Sequence, residues 1–289
     1  MTLVTRRLWL AAAVAGCSGL PDAPPGAQPL LTPWQRVRGG FLGAPSGPYV
    51  RFVKPQALAV NGFDLLVADL AQQRLWRGDA VANTVEAIAG APVAPQTALA
   101  LGADGSAWVL DAVAGQVLRF ARSGRLLQTW RPGSVLASPV AFALADGGES
   151  LVVADGLGAQ WAELRSPAGP LQLVQPPGVK GVDAIATARD GFVVLDRLAH
   201  AVHRTARDGR VLQTLGRGEL VQPLAIGVDR HDRVFVLEAG GAVRLFAEGR
   251  PLQTLAVPKA AALAVQGDLL ALVDALNAKV VVYRLGSGA

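Results

Sequence analysis

The sequence predicts an all-β chain folded as a six-bladed β-propeller of four-stranded antiparallel blades, closed by its N-terminal strand. Three observations carry this. A short hydrophobic strand ending in an acid recurs six times, at Asp69, Asp111, Asp155, Asp196, Glu238 and Asp274, spaced 36 to 44 residues apart. Each is preceded by a strand with alternating small residues, from Ala57-Leu58-Ala59-Val60 to Ala262-Leu263-Ala264-Val265. Gly- or Asp-containing turns separate the strands of every unit. Several short strands per unit at a period near 40 residues mark radial repetition around an axis. The period-2 alternation excludes a helical reading.

Composition narrows the function classes. The chain has 289 residues, 51% of them hydrophobic, enough for a large core, and only 17% charged. The formal net charge is +5. Without residues 1–16, which hold Arg6 and Arg7 and no acid, Lys and Arg number 25 against 22 Asp and Glu. There is no Lys/Arg-rich run and no interleaving of aromatic with basic residues, so nothing points to nucleic acid.

The start of the chain is a targeting segment. A basic stretch to Arg7 is followed by apolar Leu8–Val14, too short to span a bilayer as an anchor. The lone cysteine, Cys17, excludes an intrachain disulfide. Val14-Ala15-Gly16-Cys17 resembles a bacterial lipobox, with Val in place of the more usual Leu. The resemblance implies cleavage after residue 16 and acylation of Cys17, several chains holding what one would not. Ser18 resembles the sorting residue of Gram-negative outer-membrane lipoproteins. The expected location is the bacterial cell envelope, lipid-anchored and facing the periplasm from the outer membrane. Residues 17–31 then form the lipidated Cys and a Pro-rich tether containing Pro21, Pro24, Pro25 and Pro29.

Residues 32–289 form the propeller. The innermost strand of each blade has least room, and its small pairs (Ala98/Ala100, Ala141/Ala143, Ala184/Ala186, Ala225/Gly227 in the middle units) let the neighbouring blade approach. Second strands such as Leu151-Val152-Val153-Ala154-Asp155 are continuously apolar, as strands covered on both faces require. Third strands, such as Val117-Leu118-Arg119-Phe120, lead into Gly hairpins at Gly124, Gly209 and Gly249, where Gly supplies positive φ. Fourth strands repeat as Leu127-Gln128-Thr129-Trp130, Leu212-Gln213-Thr214-Leu215 and Leu252-Gln253-Thr254-Leu255. The sixth unit stops at Arg284-Leu285-Gly286 with three strands. Residues 32–39 have no partner strand before them, so they are expected to complete blade six and remove an open edge.

Pro-x-Ala-x-Ala-Val, an apolar strand ending in Asp, and an apolar third strand before a Gly hairpin together resemble NHL-repeat propellers over about residues 34–289. That family carries Asn or His a few residues after the strand-ending Asp. Asn277 and His200 fit, whereas Gly115 and Gly240 depart. The resemblance implies the fold and no single activity.

The chemistry on offer is plain. The repeated acids read as turn caps accepting backbone amides, because one catalytic site would draw different residues from different blades. Gln56, Thr97 and Asp183 precede inner strands, at positions where an axial mouth would gather ligands. Lactonases of the gluconolactonase type hold calcium at such an axis with several converging oxygens. Here the equivalent positions in the other blades are Val140, Leu224 and Ala261, too apolar for a metal. His200 and His203 are three apart and lack a third ligand. No nucleophile elbow or phosphate loop appears, so no catalytic residue, metal or cofactor is assigned. The expected function is a non-enzymatic protein-binding scaffold, held on the membrane by its lipid and contacting another envelope protein. The expected binding face carries the turns after the second strands, among them Gln72, Gln73, Arg74, Arg197, His200 and Asn277. The alternatives are a lactonase-like hydrolase or propeller lyase, or a small-ligand sensor, working at the axis. Three converging carboxylates or amides there would favour the enzyme.

The lipobox generates the first prediction. Cys17→Ala leaves the chain unacylated and moves it out of the membrane fraction. Mass spectrometry of the mature N-terminus checks this, and an unmodified Cys17 in the wild type would refute it.

Overall fold

The computed structural model describes residues 30–132, 135–257 and 259–286. The expected signal segment, Cys17 and the expected tether as far as residue 29 lie outside the described residues. Strand β1 (Leu31–Val37) is followed by β2 (Gly39–Leu42) and β3 (Tyr49–Arg51). Blade one is β4 (Pro55–Asn61), β5 (Asp64–Asp69), β6 (Arg74–Asp79) and β7 (Thr84–Ala87). Blade two is β8 (Ala98–Leu101), β9 (Ala107–Asp111), β10 (Gln116–Phe120) and β11 (Leu126–Trp130). Blade three is β12 (Pro139–Ala145), β13 (Ser150–Asp155), β14 (Gln160–Leu164) and β15 (Leu171–Val174). Blade four is β16 (Ala184–Ala188), β17 (Gly191–Asp196), β18 (Ala201–Ala206) and β19 (Val211–Leu215). Blade five is β20 (Pro223–Val228), β21 (Val234–Glu238), β22 (Ala242–Ala247) and β23 (Arg250–Ala256). Blade six holds β24 (Ala260–Gln266), β25 (Leu269–Asp274) and β26 (Lys279–Leu285).

Each blade is an antiparallel meander, and β1 supplies the outer strand of blade six. It pairs antiparallel with β26, from Leu31 against Leu285 to Val37 against Val280. The first and last strands of the fold therefore close the ring within one sheet. The closing strand ends at Val37, two residues short of the expected segment, because Gly39 already belongs to β2. The β2–β3 hairpin extends blade one to six strands, with β2 parallel to β7. Sequence periodicity does not announce this extension, since each of its strands has four residues or fewer.

The inner strands explain the repeat. Ala57 and Ala59 of blade one pack against Leu99 and Leu101 of blade two. Ala98 and Ala100 meet Phe142 and Leu144, and Ala184 and Ala186 meet Ile226 and Val228. Blade six closes the cycle, with Ala262 and Ala264 against Leu58 and Val60 of blade one. The small pairs thus face the next blade and the bulky residues the preceding one, Ile185 standing alone in blade four, where the second position is Thr187. Four of five tryptophans in the described chain, Trp76, Trp108, Trp130 and Trp161, are buried between blades. Trp34 is half-buried beneath the Arg284 guanidinium, 4.8 Å from its ring centre.

One interface is tighter than the others. Blade five carries Gly227 where the others carry Ala. A Cβ there would lie 2.6 Å from Val265 Cγ2, 2.8 Å from Val265 Cβ and 3.0 Å from Leu263 Cδ2. Valine cannot swing away from its own Cβ. Gly227→Ala is expected to overpack this interface and cost about 1–3 kcal/mol. Thermal unfolding should show a melting temperature several degrees lower, and an unchanged curve would contradict the packing rule.

Candidate functional site

Two faces follow from strand direction. Inner strands run from one face to the other, and the 2–3 turns lie at the face where inner strands begin. We call this the upper face; it also bears the loops between successive blades. The lower face carries the 1–2 and 3–4 turns.

The six strand-end acids organise the upper face. Asp69 accepts amides on both sides: Ala71 and Gln72 of its own turn at 3.1 Å each, and Val53 and Lys54 of the incoming loop at 2.6 and 3.1 Å. Asp155 accepts from Leu157, Ala137 and Ser138 in the same way, and from the Gln160 amide. Asp196 accepts from Ala199 and Lys180. Glu238 accepts from Val221 and from Arg244 Nε, which lies 2.8 Å away. Each of these carboxylates staples a 2–3 turn or third strand to the loop entering the same blade. Asp111 bonds only within its turn, to Ala114 and Gln116. Asp274 bonds Asn277 and pairs with Lys279 at 3.1 Å. Burial alone would raise the Asp155 carboxyl, but the amides of Ala137, Leu157 and Ser138, with Gln160, together hold it below its ordinary value.

Most polar residues expected to form a binding face serve this scaffold. Gln72 donates to the Arg51 carbonyl and accepts from Trp76 Nε1 at 2.8 Å. Gln73, at φ 51, donates to the Leu70 carbonyl. Arg74 stacks over Trp76 at 5.6 Å. Asn277 caps Asp274. Arg197 and His200 are exposed, Arg197 donating to the Leu224 carbonyl at 2.6 Å and His200 at φ 48 in its turn. The structure places all six on the upper face, one to five positions beyond a strand-end acid, and ties down the amide side chains among them.

Aliphatic residues of these turns reach solvent as well. Val113, Leu157, Leu198 and Leu276 stand two positions after the acid and are 86%, 78%, 74% and 66% exposed. In blades one and five, where that position is Ala71 or Gly240, exposed Val53 and Val221 lie in the incoming loop. Each blade therefore sets at least one aliphatic side chain on the upper face, and blade three adds Val135 of its incoming loop, 46% exposed. Aligning the turns by their acids would have revealed these positions; they escape a search restricted to polar chemistry.

The axial positions do not converge. Gln56, Val140, Leu224 and Ala261 sit at β-bulges, where the register with the second strand shifts. Bulges re-aim a side chain. Gln56 donates to the Ala94 carbonyl. Thr97 Oγ1 accepts the Ala94 amide at 2.7 Å, and Asp183 accepts the Arg197 amide at 2.9 Å. Among the described residues no three His, Cys, Asp or Glu side chains gather at metal-binding distance. His203 is buried, 3.6 Å from Asp196 and 3.1 Å from Thr214, and does not meet His200. Burial holds its pKa below the ordinary value, against the pull of Asp196, so the ring is neutral at neutral pH.

The axis instead opens on the lower face, in a cavity of about 430 Å³. Its walls are the inner-strand side chains Leu58, Leu99, Phe142, Ile185, Ile226 and Leu263, and its rim includes Asp229, Arg230 and Gln266. Beside it, between blades two and three, a cleft is lined by Asp104, Ser106, Arg119 and Gln128. Asp104 is held down to about 2, mainly by the Ser106 hydroxyl at 2.6 Å, against burial and with further help from the Ser106 amide and Arg119 at 2.7 Å. Four of the other lower-face junctions are clasped by ion pairs: Arg122–Asp64 between blades one and two, Arg207–Asp146 between three and four, Arg204–Asp232 between four and five, and Arg230–Asp268 between five and six.

No protein-family model matches the sequence, and no curated protein matches it. Solved structures do. A Bacteroides thetaiotaomicron protein of unknown function has TM-score 0.69 at 14% identity, over 88% of this chain and 77% of that one. Virginiamycin B lyase from Staphylococcus aureus has TM-score 0.61 at 9% identity, over 81% of this chain and 96% of that one. A streptogramin B lyase has TM-score 0.60 at 10% identity, over 82% and 95%. At such identities the likeness establishes the propeller fold alone.

The Asp155 staple sets an acid limit. A carboxyl whose folded pKa is depressed contributes stability above its unfolded value, about 4, and loses it as pH falls through the folded value. The melting temperature is expected to drop below about pH 4. Asp155→Ala, which strands three backbone amides, is expected to cost about 3 kcal/mol at neutral pH and to flatten that acid loss. A variant retaining the full acid dependence would deny Asp155 this role.

Proposed function

We propose that this chain is a lipid-anchored envelope propeller of NHL-like pattern that binds a protein through its upper face, without catalysis. The observation that carries the reading is the ring of exposed aliphatics, at least one per blade, on rigid stapled turns. Single exposed apolar residues are ordinary on protein surfaces, but repeated ones on one face mark interaction sites. Turns held by buried carboxylates lose little entropy on docking. The lipobox reading adds a membrane as the place where the disc is displayed.

An axial enzyme is the second reading. In its favour are the lower cavity, the adjoining Asp104–Ser106–Arg119 cluster, and structural neighbours that include lyases. Acid–base catalysis needs a titratable group at the reacting atom. The charged residues lining this cavity are Asp229 and Arg230, with Thr187 and Gln266 as polar neighbours, and among the described residues no three His, Cys, Asp or Glu side chains converge there. That sparse titratable lining weighs towards binding.

A photo-crosslinking residue at Val113, on the upper face of blade two, is expected to yield a discrete protein adduct in cells. The same residue at Arg125, on the lower face of that blade, should give none. Equal labelling from both, or none from Val113, would reject the reading.

A further inference from the structure

We propose that the upper face docks an acidic protein surface, the aliphatic ring making the apolar contact and a set of exposed cations meeting the partner's carboxylates. This rests on the binding reading above and specifies its partner.

The charge is distributed unevenly. The described 2–3 turns and inter-blade loops of this face expose Lys54, Arg131, Lys180, Arg197, Arg217 and Lys259. Their acids are Glu219, which is exposed, and Asp183, which is half-buried and bonded to the Arg197 amide. Five of the six strand-end acids lie beneath, and Asp111 is half-buried with its oxygens on the Ala114 amide and the Gln116 side chain. Asp69, Asp155, Asp196, Glu238 and Asp274 are all buried. Their oxygens are taken by amides, and two of them also pair with Arg244 and Lys279. They still contribute to the field, but a docking surface cannot touch them. What it touches is the six exposed cations and aliphatic carbon, with Glu219 the exposed acid among the described turns and loops. Complementary charge over such a patch selects the partner and speeds encounter.

The same chemistry would suit an anionic bilayer, and two observations favour a protein. First, the tether joins the opposite face. β1 starts at Leu31 beside Leu285, and the Gly286 amide donates to the Leu30 carbonyl at 2.8 Å. The Leu285 amide donates to the carbonyl of Asp268, in the 1–2 turn of blade six, at 2.8 Å. A lipid on Cys17 thus draws the lower face towards its membrane and turns the upper face away. Second, the described turns and loops of the upper face contain no Trp or Tyr, the side chains that seat proteins at the headgroup level.

The test uses the full chain with the crosslinker at Val113. Lys54→Glu, Lys180→Glu and Arg197→Glu are combined, with melting temperature as the control for folding. The adduct is expected to fall about tenfold, the scale of a lost charge contact. The neutral set Lys54→Gln, Lys180→Gln and Arg197→Gln should give a smaller loss. The partner peptide joined to position 113, read by mass spectrometry, should carry net negative charge. A protein adduct indifferent to both sets, or a neutral or basic peptide, overturns the acidic partner while leaving protein binding intact. No protein adduct at all overturns both. Co-sedimentation of the Cys17→Ala chain with phosphatidylethanolamine–phosphatidylglycerol vesicles, abolished by the Glu set, would assign the face to lipid and overturn the proposal.

Discussion

The contact between a small pair on one blade and a bulky pair on the next is the constraint on which this molecule depends. Near the axis six sheets converge, and there is no room for two branched side chains at each meeting. The chain solves this six times with the small pair facing forward, as Ala at both positions in five blades and as Ala225 with Gly227 in blade five. Direction matters as much as size, because a cycle closes only if every interface has the same polarity. The Ala262/Ala264 pair against Leu58 and Val60 joins the last blade to the first on the same terms as every other junction. The β1–β26 pairing then closes the ring by hydrogen bonds as well.

That packing leaves the two faces to different devices. On the lower face, charges on the turns reach across junctions, as Arg122 does to Asp64 and Arg207 to Asp146, both at 2.6 Å. Pairs this exposed contribute little individually. On the upper face the carboxylates work within each blade and are buried, so each amide they accept would otherwise lose its water without compensation. The upper turns are therefore the more tightly determined, although they are loops. A surface fixed in this way can hold aliphatic side chains in water without collapsing onto them.

Much of this was legible in the sequence, because it rests on repetition. Six acids in register, six alternating inner strands and a missing last strand specify blade number, strand order and closure. The structural role of the acids was legible for the same reason. Features belonging to one blade were not. The β2–β3 hairpin is too short to show a period. The bulges at Gln56 and Leu224 arise from strand geometry near the axis, so residues that look like an axial ring in an alignment are turned to local partners, as Gln56 is to Ala94. The aliphatics after the acids were visible as letters, but their exposure follows from the turn. In Asp196-Arg197-Leu198 the acid is held inside, and Leu198 is 74% exposed.

The same geometry bears on where a ligand could act. A propeller of this size has two axial ends, and here they differ in kind. At the upper end, Gln56, Thr97 and Asp183 each spend their polar atoms on backbone groups nearby. At the lower end the cavity is walled in large part by the bulky partners of the small pairs. Five of the six blades spend both of these positions on Leu, Ile, Val or Phe packed against the neighbouring blade, and blade four has Ile185 with Thr187. The turns and loops of the upper face carry no such obligation. They are where this fold can vary its surface without disturbing the contacts that close it, and they are where its exposed cations and aliphatic side chains lie together.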